Sequence, residues 1–249
     1  NELGIELFVL DDGWFGKRHD DTTSLGDWVV DRTKLPGGLE DVAERVNRLG
    51  MKFGLWFEPE MVSPESELYR KHPDWCLHVP DRHRSEARNQ LILDFSRQDV
   101  CDAIIEKIAD ILNSAPIEYV KWDMNRHMTE IGSALLPPER QRETAHRYML
   151  GLYRVMEELT SQFPHILFES CSGGGGASIR VFCITCRKRG RATTRTQSHG
   201  FAFSTEPVWY TRSVPWGRTF PLCPIIKHTV LRRFRREDTP LCRAISVMS

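Results

Sequence analysis

Tyr119-Val120-Lys121-Trp122-Asp123-Met124-Asn125-Arg126 decides how the chain is read. The apolar run at 117–120 predicts a buried strand, and that strand ends on a polar cluster of Lys121, Asp123, Asn125 and Arg126. Alternate side chains of a strand share a face, so Lys121, Asp123 and Asn125 are expected to point the same way. The positive charge of the lysine favours an ionised aspartate, the form a carboxylate nucleophile requires. Taken alone, the stretch fits a structural ion pair closing a strand equally well. The rest of the chain decides against that reading.

Apolar runs of strand length recur at 7–10, 53–57, 91–95, 117–122 and 166–168, with helical patterns between several of them. Leu39, Val42, Val46 and Leu49 share one helical face, with Gly50 as its C-cap. Val100, Ile104, Ile108 and Ile111 line a second. Leu152, Val155, Met156 and Leu159 mark a third, in a helical stretch from about Glu139 to Phe163. Strand and helix in alternation predict parallel β/α units. Every strand also ends on polar residues, the pattern of the C-terminal face of a TIM barrel. A doubly wound sheet shares the alternation but gathers its ligand groups at one crevice. The expected fold is therefore α/β, a partial TIM (β/α)8 barrel, with residues 1–176 supplying about strands two to six of the eight.

The strand ends read Asp11-Asp12-Gly13-Trp14, Trp56-Phe57-Glu58-Pro59-Glu60, Asp94-Phe95-Ser96, Lys121-Trp122-Asp123 and Glu169-Ser170-Cys171-Ser172. Carboxylates with tryptophans at one mouth suit a sugar. The acids accept hydrogen bonds from hydroxyls, and an indole face packs on the apolar side of the ring. Clustered acids also bind metals, but the histidines fall away from these strand ends, which argues against a transition-metal site. No metal and no cofactor is expected. Asp20, Asp21, Asp99 and Asp102 read as solvated loop and helix-start charges.

Together, Leu10-Asp11-Asp12-Gly13-Trp14-Phe15-Gly16, Gly54-Leu55-Trp56-Phe57-Glu58-Pro59-Glu60-Met61, Arg88-Asn89-Gln90, Lys121-Trp122-Asp123-Met124-Asn125-Arg126 and Glu169-Ser170-Cys171-Ser172-Gly173-Gly174-Gly175 resemble glycoside hydrolase family 36 α-galactosidases of the bacterial type. The resemblance runs from about Asn1 to Gly175, and the motifs stand in family order at family spacing. It implies a retaining hydrolase of terminal α-D-galactosyl residues, with Asp123 as the nucleophile. It also implies that Asp11 and Asp12 bind galactose hydroxyls, that Trp56 packs at the ring, and that Arg88 and Lys121 donate near the glycone. Trp122, Asn125, Cys171 and Gly173 complete the implied substrate-binding set, the glycine permitting close approach of backbone. A retaining mechanism needs two carboxylates about 5–5.5 Å apart, one attacking and one acting as acid and then base. The acid/base aspartate of the family sits in a downstream Trp-Thr-Ser-Asp motif. This sequence contains no such motif.

The chain has 249 residues and a formal net charge of +0, which hides an asymmetry. Residues 1–176 carry 20 Lys+Arg against 31 Asp+Glu, and residues 177–249 carry 14 against 3. After Gly176 the family continues as Arg-Phe-Asp-Pro-Gly, whereas this chain reads Ala177-Ser178-Ile179-Arg180-Val181-Phe182. Codons permitted by residues 177–196, read in another frame, give Phe-Asp-Pro-Gly-Ile-Leu-Tyr-Tyr-Met-Pro-Gln-Thr-Trp-Thr-Ser-Asp. The same offset recovers a family-like reading over 205–227. A frameshift within the glycine codons for residues 173–176 is therefore expected, with the acid/base aspartate falling inside the codons for Ala192 and Thr193. Residues 177–249 are then a non-native tail. An open barrel exposes strand edges and apolar core, so poor folding and little activity are expected of this product.

Other readings of the tail and of the activity carry less. Cys183-x-x-Cys186 beside Arg187-Lys188-Arg189 fits a zinc site on a nucleic-acid-binding arm, but Cys223 and Cys242 do not form a second close pair. A galactosyl transferase of the same family, like raffinose synthase, is the alternative within the enzymes. The expected partner is an α-galactoside oligosaccharide, with no membrane and no nucleic acid, and a homo-oligomer stays open for the intact form. Seven cysteines without disulfide spacing predict a reducing cytoplasm. The first residue, Asn1, suggests an upstream part, and no signal peptide is expected.

Overall fold

The computed structural model describes residues 4–172, 209–212 and 228–233. Its frame is a parallel sheet of the apolar runs read above: β1 (Leu7–Leu10), β2 (Lys52–Phe57), β5 (Tyr119–Met124) and β6 (Leu167–Ser172). Each pairs in parallel with the next, Val9 with Gly54, Gly54 with Tyr119 and Tyr119 with Leu167. Parallel neighbours need crossovers. These are α1 (Gly38–Arg48) between β1 and β2, α3 (Gln98–Ser114) before β5, and α4 (Thr144–Gln162) before β6. The remaining pieces are β3 (Met61–Val62), α2 (Glu67–Lys71) and β4 (Leu91–Ile92) in the long connection after β2, and β7 (Trp209–Arg212) and β8 (His228–Arg233). β8 pairs antiparallel with β1, and β7 antiparallel with β8, so the sheet order is β6-β5-β2-β1-β8-β7.

The two faces of the parallel sheet differ. The helix-side face and the crossovers share one core that includes Phe8, Leu10, Leu55, Phe57, Val120 and Trp122 from the strands, with Leu39, Ile104 and Leu152 from the helices. α3 and α4 lie side by side over it. The other face carries a small row of Leu7, Val9 and Tyr119, with Leu167 packed against it. Gly54 stands in this row because a Cβ there would lie 2.9 Å from Tyr119 Cδ1 and 3.1 Å from Val9 Cγ2.

Three expectations are corrected. Residues 91–95 are buried, but only Leu91–Ile92 form a strand, and it pairs antiparallel with Met61–Val62 outside the main sheet. β2 pairs directly with β5. Burial satisfies a short apolar run wherever it occurs, so periodicity alone does not name its sheet. Leu49 is 46% exposed, because the helix ends at Arg48 and Gly50 turns left-handed at φ 76°. α4 starts at Thr144 rather than near Glu139, after a 3-10 turn over Pro138–Glu143.

No helix among the described residues is long and apolar enough to cross a membrane. Cys183, Cys186, Cys223 and Cys242, the proposed frameshift at residues 173–176 and Gly173 itself lie outside the described residues.

Candidate active site

Register stacks the inward-facing residues in rows. Above Val9, Gly54, Tyr119 and Leu167 comes a row of Trp56, Lys121 and Glu169, with Asp11 one residue beyond β1 continuing its alternation. Above that stands Asp123, with Cys171 its register partner on β6. The floor is apolar and the upper rows are polar, so the C-terminal ends of the strands carry the site.

Asp123 is 7% exposed and its carboxylate is fixed by neutral donors. Trp56 Nε1 donates to its Oδ2 at 3.1 Å and Asn125 Nδ2 donates to the same oxygen at 2.7 Å. Its Oδ1 accepts from the Met124 amide at 2.9 Å. The lysine faces across the sheet, where Lys121 Nζ is 2.8 Å from Asp11 Oδ2. The Asp12 amide donates to the other Asp11 oxygen at 2.9 Å. Asp12 is gripped by Arg18, whose Nε and Nη2 donate to its two oxygens at 2.7 and 2.8 Å. Lys34, buried behind this loop, donates to the carbonyls of Gly13 and Arg18.

The aromatic residues support the acids more than they face the pocket. Trp56 is 3% exposed, stacked near Phe15 at 6.1 Å between ring centroids, and what it offers the site is its N–H. Trp14 Nε1 donates to the Trp56 carbonyl at 3.0 Å and keeps that residue in place. Trp122 was expected on the substrate side, and this is corrected. It follows the opposite parity to Lys121 and Asp123, is fully buried, and donates to Glu60 Oε1 at 3.1 Å. Glu60, read above with the strand-end acids, is likewise on the helix side, and its other oxygen accepts from the Tyr148 hydroxyl at 2.5 Å. Burial raises the Glu60 carboxyl above its ordinary value.

Two residues near Asp123, Glu58 and Arg126, carry no role in the resemblance described above. Glu58, 1% exposed, accepts from the Asn125 amide at 2.6 Å and from Gln90 Nε2 at 3.3 Å. Burial first, then the negative charge of Asp123, pushes its carboxyl up to about 7. Parity was the signal that could have found it, since 54, 56 and 58 lie on one face. Arg126, 3% exposed, donates to the Gln90 and Ser85 carbonyls and to Thr129 Oγ1, each at 2.6 Å. Arg88 is exposed on the loop so held, near enough to Glu58 for its charge to act there. The structure thus brings Asp11, Asp12, Trp56, Lys121, Asp123 and Asn125 to one end of the sheet.

A parallel β/α sheet with carboxylates and their donors gathered on its C-terminal strand ends is part of a TIM-barrel protein with its site at the usual face. The chain belongs to the Melibiase family, glycoside hydrolase family 36, whose sequence profile matches residues 1–183. It is 79% identical over 175 residues to α-galactosidase AgaA of Geobacillus stearothermophilus, which is 70% of this chain and 24% of that protein. It is 53% identical over 175 residues to an α-galactosidase of Lactobacillus acidophilus, again 70% of this chain and 24% of the relative. The crystal structure of α-galactosidase AgaB from Geobacillus stearothermophilus matches with a TM-score of 0.69 at 80% identity, over 70% of this chain and 24% of that one. The chain therefore spans about a quarter of the length of the relatives it matches.

Proposed function

We propose that residues 1–176 form the glycone-binding and nucleophile half of a retaining α-galactosidase, and that the chain as it stands lacks the acid that completes it. The reading rests on the Asp123 carboxylate, oriented by Trp56 and Asn125 through donors that leave its negative charge intact. One oxygen of Asp123 attacks the anomeric carbon, and the bond from that carbon to the departing sugar oxygen breaks. The departing oxygen takes a proton from the acid. Water then attacks the same carbon, gives a proton back to that group and frees Asp123. Asp11, Asp12, Lys121 and Arg88 supply acceptors and donors for galactose hydroxyls, and Asn125 holds the nucleophile. Cys171 and Gly173 are assigned to the same pocket on resemblance alone. AgaA variants have been solved in complex with raffinose and with stachyose, which supports α-galactosyl oligosaccharides as substrates. Free, buried Cys76 and Cys101 suit a reducing cytoplasm as the place of reaction.

Residues 177–249 are proposed to be an out-of-frame tail. Similarity supports this, since identity at 79% covers 70% of the chain. Without the acid, turnover of an ordinary α-galactoside is slow, while donors with good leaving groups need no proton. Hydrolysis of raffinose, whose departing sugar oxygen needs a proton, by this chain and by the frame-corrected, full-length protein tests both parts. Activity only in the corrected protein, lost on Asp123→Ala, is the expected result. Turnover by the chain as written would mean that its tail supplies a working acid. Genomic DNA that does not read through as family sequence after a one-base correction would overturn the frameshift.

A further inference from the structure

The loop that carries Arg88 is held in a backbone state that its residues disfavour. Arg88 and Asn89 are consecutive and both have φ 56°, the left-handed region that side chains other than glycine rarely occupy. Such a pair persists only where surroundings overdetermine it. Arg126 is the surroundings. Its two terminal nitrogens donate to the carbonyls of Ser85 and Gln90, which flank the left-handed pair. The turn is closed from Gln90 N to Ala87 O at 3.2 Å, and Ser85 is tied through its amide and hydroxyl to the Glu130 carboxylate. Gln90 in turn reaches Glu58 and hence Asn125 and Asp123.

The placement of Arg126 is unusual for a structural arginine. It is nearly inaccessible, and every hydrogen bond it donates goes to a neutral oxygen, with the charges of Glu130 and Glu86 acting on it only as neighbours. Burying a cation without a bonded anion is expensive, so a loop needing only closure would be closed more cheaply by a neutral donor. What the planar guanidinium adds is two donors at fixed separation, which a lysine cannot reproduce. Arg126 also follows Asp123 and Asn125 in the same segment, so one stretch of backbone fixes both the nucleophile and the loop.

We propose that Arg126 is a positioning residue that pins the left-handed turn and thereby sets Arg88 over the galactose site at a fixed place relative to Asp123. The proposal rests on the α-galactosidase reading, which makes Arg88 a glycone donor. It acts through Arg88, so the two residues are coupled.

The test uses the 249-residue chain and measures affinity for 1-deoxygalactonojirimycin together with amide hydrogen exchange over 85–90. Arg88→Ala and Arg126→Lys should each weaken binding by roughly tenfold, and the double variant should bind no worse than Arg88→Ala, because coupled residues are non-additive. Arg126→Lys should speed exchange over 85–90 while leaving β5 and α3 protected. Asn89→Gly, which suits a left-handed residue, should restore much of the affinity lost in Arg126→Lys. If Arg126→Lys binds as well as the parent while Arg88→Ala is weak, or if the two losses add, the positioning role is overturned and the α-galactosidase reading survives. Loss of protection throughout Arg126→Lys without rescue by Asn89→Gly makes Arg126 a general fold residue and also overturns it. A parent chain in which β5 and α3 are protected but which fails to bind the inhibitor removes the function reading and this inference together, whereas one that binds it but shows no protection over 85–90 overturns this inference alone.

Discussion

Glu58 is the residue whose chemistry the fold changes most visibly. Its ordinary value of 4.5 rises to about 7 on burial beside Asp123. A carboxyl raised on folding favours the protonated native state. Its stabilising contribution is therefore complete below pH 4.5 and is lost as pH rises through about 7. The whole change across that window amounts to about 3 kcal/mol at most. Glu58→Gln should flatten the dependence of stability on pH between 5 and 8, measured by urea unfolding at each pH. On the helix side, Tyr148→Phe removes the hydroxyl that Glu60 accepts from, leaving a buried carboxyl oxygen short of a donor. That change should cost about 1–3 kcal/mol, read as a lower urea midpoint. Much of the site was legible at this scale, since Asp11, Trp56, Lys121, Asp123 and Asn125 do converge. Trp122 was misplaced because motif membership overrode strand parity, which already put it opposite Asp123. Arg126 was not legible because its partners are backbone carbonyls 36 and 41 residues away, and no side-chain pattern records a carbonyl.

Among the elements, the strands that pair in parallel were the easiest to read, because continuous apolar runs such as 53–57 are buried on both faces. The run at 91–95 is also mostly apolar and buried but lies outside that sheet, where Leu91–Ile92 pairs antiparallel with Met61–Val62. Helix interiors were clear and their ends were not: Val100, Ile104 and Ile108 are fully buried as the period requires, while α4 begins later than its pattern. Gly54 gives the sharpest element-level prediction. Gly54→Ala would drive a methyl into Tyr119 and Val9, separating β1, β2 and β5 at the interior row. The expected loss is about 1–3 kcal/mol, seen as a lower thermal midpoint, with Gly54→Val worse. Ile108→Ala on α3 should cost about 2–5 kcal/mol through the cavity it leaves.

At the scale of the molecule, the sheet among the described residues ends on β6 at one side and on β7 at the other, where β1 is met by the antiparallel β8. A closed barrel of parallel strands needs a parallel neighbour on both sides of β1, so the β1 to β8 pairing belongs to an open sheet. Open edges template association. The chain should therefore form concentration-dependent oligomers by sedimentation velocity, and the frame-corrected protein should show a concentration-independent size.

Beneath the polar rows, Val9 and Tyr119 pack together with Leu167 against them, and Gly54 leaves the room that the tyrosine ring takes up. Two residues further along each strand the same face turns polar, at Asp11, Trp56 and Lys121. On the proposed function, a sugar resting there has greasy ground underfoot and its hydroxyls gripped from the flanks, so its orientation is set by the flanks alone.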